Sequence, residues 1–179
     1  FGARTSRKSA APHPDQPELI AHHYTEAGLI AQALPYWQQA GQAALRRSAN
    51  QEAIGHLAKA LALLETLPET EDRGQMELAL RITVGVPLMT TKGYAAPDVE
   101  QTFARARALC QTVGDAPRRF SVLSGLFAFY LVKGDLVTAR DLAEQCLRLA
   151  EDVRDVALLI EAHRMLCNIF HFKIGRAHV

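Results

Sequence analysis

The sequence predicts an all-α chain of stacked helical hairpins, truncated at its C-terminal end. Three observations carry this: a helix-rich composition, apolar residues recurring at helical spacing, and one residue pattern that repeats along the chain. Of 179 residues, 29 are Ala and 23 are Leu, whereas Gly numbers 11, Pro 8 and aromatics only 7%. That bias favours helix and disfavours an all-β or collagen-like chain. The 20 Lys and Arg nearly balance the 19 Asp and Glu, for a net charge of +1. Such a balance argues against a basic nucleic-acid-binding arm and against an acidic tail. Uninterrupted apolar runs are a few residues long, far short of the roughly 20 needed to cross a bilayer, so the expectation is a soluble chain that engages neither nucleic acid nor membrane. Cys110, Cys146 and Cys167 are odd in number and form no CxxC, which suits a reducing cytoplasm.

The elements follow in order. Residues 1–16 lack a signal-peptide apolar core and read as a ragged, disordered start. Helices are expected near 17–27, 30–47, 50–66, 70–91, 97–113, 117–132, 136–151 and 155–172, which makes 17–173 one helical unit. Asn50 before Gln51-Glu52, and Pro97 before Asp98 and Glu100, mark helix starts through a cap or a first-turn proline. Pro35 and the pair Gly85-x-Pro87 lie inside helical stretches and predict kinks or local breaks. Lys92-Gly93-Tyr94-Ala95-Ala96-Pro97 reads as a shaped connector, and no Ser/Gly-rich spacer divides the chain. Residues 174–179 break the helical pattern and read as a non-native, adapter-derived tail.

The repeat is visible by direct alignment. Ile20-Ala21-x2-Tyr24-x3-Gly28-x4-Ala33-x3-Trp37-x2-Ala40 recurs at an offset of 20 as Ala40-Gly41-x2-Ala44-x3-Ser48-x4-Ala53-x3-Leu57-x2-Ala60. The template returns as Leu126-Phe127-x2-Tyr130-x3-Gly134-x4-Ala139-x3-Ala143-x2-Cys146 and begins again at Leu166-Cys167-x2-Phe170. Small residues such as Ala21 and Gly41 let paired helices approach closely, and Gly28 and Gly134 sit where a helix end takes a left-handed residue. Trp37 shares a stripe with Ala33 and Ala40, and Phe127 with Tyr130, so these aromatics are expected in the core.

Catalytic signatures are sparse. The chain contains no phosphate loop, GxGxxG turn, HExxH helix or GxSxG elbow. Its noted carboxylates, at 69, 71, 72, 144, 151, 152 and 155, fall mostly at helix ends. His163-x3-Cys167-x3-His171 puts three metal-ligating types along one helical face, but an eight-residue span covers about 12 Å of helix, too long for one ion. Cys167 also holds the small-residue position of the repeat, which predicts a cysteine packed between helices. Of His22 and His23, one ring is expected inward beside Tyr24 and one outward. The basic pairs Arg46-Arg47 and Arg118-Arg119, with Arg105 and Arg107, are expected as solvated helix faces. The sequence assigns no catalytic residue, cofactor or metal.

The repeated pattern resembles the tetratricopeptide repeat, whose template is an apolar and a small residue, an aromatic, a turn glycine, then alanine, a bulky residue and alanine. The resemblance implies a right-handed superhelical solenoid, although an offset of 20 rather than 34 makes the second helix serve two pairs. It also implies a concave groove lined by first helices: His22, Thr25 and Glu26, then Gln38, Gln42 and Arg46, then Ser124, Ala128 and Leu131, and finally Arg164 and Asn168. That set lacks the clamp by which chaperone-binding relatives hold a carboxylate, and its mixed polarity suits a protein segment.

Pro17 to Gly28, Ala33-Leu34-Pro35-Tyr36-Trp37 and Thr91 to Pro97 further resemble the helical C-terminal arm of bacterial multidomain regulators. In these a class III adenylate/guanylate cyclase domain is followed by a signalling ATPase and then tetratricopeptide repeats; LuxR-type regulators use related combinations. The resemblance implies a non-catalytic interaction arm whose partner is a protein or peptide segment, including the parent's own ATPase domain. A stand-alone adaptor, or the arm of a LuxR-type transcriptional regulator, is the alternative. A last helix without its cap also predicts self-association through that end.

Overall fold

The structure, a computed structural model, describes residues 16–176 and the side chains of 16–171. Eight helices run in order: α1 Pro17–Glu26, α2 Ile30–Arg46, α3 Asn50–Glu65, α4 Glu71–Lys92, α5 Pro97–Cys110, α6 Ala116–Lys133, α7 Leu136–Val153 and α8 Val156–Arg176. No strand occurs among the described residues. Each helix packs on the next, and two further contacts skip one helix, α4 with α6 and α6 with α8. The expected elements therefore all form. α8 continues to Arg176, into the segment at 174–179 expected outside the helical pattern; a single glycine costs a helix only about 1 kcal/mol.

Short-range chemistry sets the helix ends. Gly28 (φ 72°), Ser48 (58°), Gly134 (86°) and Arg154 (54°) are left-handed. After each, the next amide donates back across the turn: Leu29 to Tyr24, Ala49 to Ala44, Asp135 to Tyr130 and Asp155 to Ala150. This is the Schellman closure, which satisfies carbonyls left open at a helix end. Gly28 and Ser48 are the turn positions of the aligned repeats, so the template marks a backbone conformation even where the residue is not glycine. At the starts, Asp115 accepts from the Arg118 amide, Asp135 from Thr138, and Asp155 from Ala157 and Leu158. One aspartate every twenty residues thus caps α6, α7 and α8.

Two expectations are met in part: Asn50 does start its helix, though not as its cap, and neither internal proline breaks its helix. Asn50 is the first helical residue rather than the cap, which is Ala49 with no side-chain bond. Pro35 and Pro87 lie inside α2 and α4 without ending them. Buried neighbours hold both helices through the missing bond, Leu34 and Trp37 beside Pro35, and Leu88 and Met89 beside Pro87.

Packing depends on close approach. A methyl at Gly41 would lie 2.7 Å from Leu57, so α2 and α3 meet where the repeat predicts a small residue. Phe103 of α5, only 3% exposed, lies between Gly85 of α4 and Gly125 of α6; a methyl on either glycine would come within 2.3 Å of its ring. Three helices are locked around one aromatic. Trp37 joins α1, α2 and α3: its indole N–H donates to Thr25 Oγ1 at 3.0 Å, His56 stacks on it at 5.5 Å, and the Lys59 ammonium sits 4.6 Å from its centroid.

Candidate functional site

The strongest electrostatic feature spans α4 and α5. Glu77 is 4% exposed yet charged, because Arg105 donates to both its oxygens at 2.9 and 3.0 Å and Arg81, one turn on, donates at 2.7 Å. The Arg105 guanidinium holds the Glu77 carboxyl below its ordinary pKa against the opposing effect of burial, with Arg81 adding to it. A carboxylate clamped by two guanidiniums is a fixed acceptor at neutral pH and not a proton donor. Arg105 itself remains exposed, as expected of a solvated helix face, while its guanidinium reaches in to Glu77. Arg119 likewise donates to the Cys110 carbonyl at 3.2 Å, tying α6 to the end of α5.

This pair forms one wall of a cleft of about 520 Å³ between the start of α4 and the end of α5. Glu69, Glu71 and Arg73 from the α3–α4 corner face Thr112 and Val113 across it. Arg73 lies between this cleft and a more apolar one of about 240 Å³ lined by Leu34, Leu64, Leu67 and Met76. A third cleft, about 410 Å³, opens between α5, α6 and α7 at Arg107, Arg119 and Gln145.

None of the groove positions lines these three clefts. His22 and Glu26 are exposed on α1, Gln42 and Arg46 are exposed on α2, and Gln38 is half-buried. Thr25 turns inward, donating to the Ala21 carbonyl and accepting from Trp37, so it serves packing rather than a groove. Leu131 is buried in the core near the end of α6 and leaves the set. The remaining positions lie on α6 and α8. Ser124 and Ala128 are half-buried on α6, and Asn168 and exposed Arg164 hold the positions forty residues later on α8, which touches α6. Arg164 is hydrogen-bonded to Glu161 on its own helix, which keeps the Glu161 carboxyl below its usual range.

The remaining candidates are settled by exposure. His22 and His23 are both exposed, because Ala21 alone on α1 is buried and the two rings flank the opposite side. Cys167 is exposed rather than packed, since no described helix covers that side of α8. Cys110 and Cys146 are buried, and burial raises both thiols, Cys146 to about 12, leaving them protonated and inert. His163 and His171 are exposed with Cys167, and no group of three His, Cys, Asp or Glu among the described residues is placed to hold a metal ion. No helix among them is long and apolar enough to cross a membrane.

Sequence reasoning missed Glu77 and Phe103. Glu77 had a signal: an acidic residue on the apolar stripe of Leu80, Val84 and Leu88, with arginine four positions on. Phe103 had none, because its seat is built from glycines forty residues apart on two other helices. The chain matches no protein-family model and no curated protein sequence.

Proposed function

We propose that this chain is a tetratricopeptide-like solenoid acting as the protein-interaction arm of a larger signalling protein of the cyclase and ATPase type. The observation that carries this reading is the row α4, α6, α8: alternate helices touch one another, and α6 and α8 repeat at forty residues with the same face inward. In stacked hairpins such a row is the inner layer, and its open side is the surface that takes an extended or helical protein segment. Ser124, Ala128, Arg164 and Asn168 lie on that side and are the contact residues of the proposal. Its mechanism is conformational: a segment seated across α6 and α8 favours one stacking angle and biases the attached ATPase between states.

The reading is non-catalytic and cytoplasmic, and it needs no cofactor. What supports it chemically is that the one buried carboxylate among the described residues, Glu77, is spent on interhelical ion pairing and two of the three thiols are sealed in the core. The test joins gene and protein. The coding sequence upstream of this chain is determined, the neighbouring domain is expressed, and ATP turnover is measured with and without the chain in trans. The expected result is an upstream phosphate-loop ATPase whose turnover changes on addition, with the change lost in Arg164→Glu with Asn168→Arg. Absence of such a domain, or turnover indifferent to the chain, contradicts the proposal.

A further inference from the structure

We propose that the cleft between α5, α6 and α7 binds the phosphoryl group of a phosphate monoester. Its polar lining comes from three helices: Arg107 and Gln111 at the end of α5, Arg119 of α6 and Gln145 of α7. The rest is apolar, with Cys110 and Val122 buried and Leu123 half-buried. At about 410 Å³ the cleft has the size of a small-molecule site.

Charge selects the ligand. Two guanidiniums line this space and no carboxylate does. Elsewhere in the chain Arg47, Arg73, Arg81, Arg105, Arg140 and Arg164 each pair with a glutamate, and the larger cleft carries Glu69, Glu71 and Glu77 beside its two arginines. Arg107 and Arg119 are held by neutral acceptors instead: Arg107 Nη2 donates to Gln145 Oε1 at 3.3 Å, and Arg119 Nε to the Cys110 carbonyl at 3.2 Å. Each bond directs a guanidinium without cancelling its charge, and most of the N–H donors stay uncommitted. Carboxylates in the neighbourhood are turned elsewhere. Asp115 accepts from the Arg118 amide as the cap of α6, Glu144 pairs with Arg140, and exposed Asp141, one turn before Gln145, does not line the cleft. Two positive charges lining one small volume repel each other, and a dianion placed between them removes that cost. The phosphoryl group suits the cleft better than a carboxylate does. Donors reach it from three helices, and a tetrahedral oxyanion accepts in several directions, whereas a carboxylate is planar and carries a single charge. The apolar lining takes the carbon part of the ester.

Calorimetric titration of the full chain at low salt tests this with three probes. These are phenyl phosphate, benzoate, which carries the same ring on a carboxylate, and a phosphoserine peptide. Phenyl phosphate is expected to bind with a Kd below about 1 mM and more tightly than benzoate. Whether the peptide binds as well decides between a phosphorylated side chain and a free ester as the source of the group. The second phosphate ionisation lies near pH 6, and α5 to α7 contain no histidine, so affinity is expected to rise about tenfold from pH 5 to pH 7. Arg107→Gln, at an exposed position, is expected to weaken binding at least about tenfold with helical content unchanged, while Arg47→Gln leaves it intact. No binding of phenyl phosphate up to about 10 mM overturns the proposal. So does benzoate binding as tightly, an affinity indifferent to pH or to Arg107→Gln, or an equal loss in Arg47→Gln.

Discussion

Ala162, Met165 and Ile169 on α8 face inward as Val122, Gly125 and Phe129 do on α6, forty residues earlier. On the opposite side the two helices part company. Phe120 and Phe127 of α6 are buried, whereas Ile160 and Cys167 of α8 are open. The inward positions recur at the same spacing although the residues differ, and the neighbours differ too: α6 lies between α5 and α7 and also touches α4, while α8 packs on α7 and α6. A helix of this kind carries two binding faces, and which of them reaches water depends on what the rest of the protein supplies.

The largest way to break the comparison is at the aromatic that fixes α6. Phe103→Ala empties the seat between Gly85 and Gly125 and is expected to cost about 3–5 kcal/mol in denaturant unfolding. Phe170→Ala, on the open face of α8, is expected to change the dilute monomer by less than about 0.5 kcal/mol. Equal losses would mean the two faces are not different in kind.

Next is the α4–α5 ion pair, which the α8 region has no equivalent of in its core. Glu77→Gln is expected to cost about 1–3 kcal/mol, because it removes the charge that two guanidiniums surround. The sign with pH follows. A carboxylate whose folded pKa is depressed contributes its full stability above the ordinary value of 4.5 and loses it as pH falls below that value through the folded one. The wild type is therefore expected to lose stability in acid more steeply than Glu77→Gln, with the two curves converging below that range; parallel curves would contradict the assignment.

The smallest effects belong to the caps. Asp115→Ala and Asp155→Ala each remove a side-chain acceptor from a first helical turn, at about 1 kcal/mol each. Asp115→Ala is expected to lower global stability, whereas Asp155→Ala shows chiefly as fraying of α8, read by helical circular dichroism below the main transition.

The comparison also locates what a sequence can say. Helical periodicity and turn chemistry are local, so the helix bounds, the left-handed turns at 28 and 134, and the close contact at Gly41 were legible. Coverage is not local. Cys167 occupies the buried position of the template and is exposed, because the pattern names the face but not the helix that would cover it. The same holds for Gly85: beside Pro87 it reads as a kink, while its role is to admit Phe103 from α5. The expected groove positions illustrate the same limit. Spacing placed Ser124 and Ala128 in line with Arg164 and Asn168, but gave no warning that Leu131 is buried or that Thr25 turns to Trp37.

The most direct measurement is amide hydrogen exchange of the two equivalent helices. The account predicts that amides of α6 exchange only through global unfolding and that those of α8 exchange through local opening, faster by more than about a hundredfold. Equal protection of α6 and α8 would mean that the outer face of α8 is not open, and the central contrast would fall.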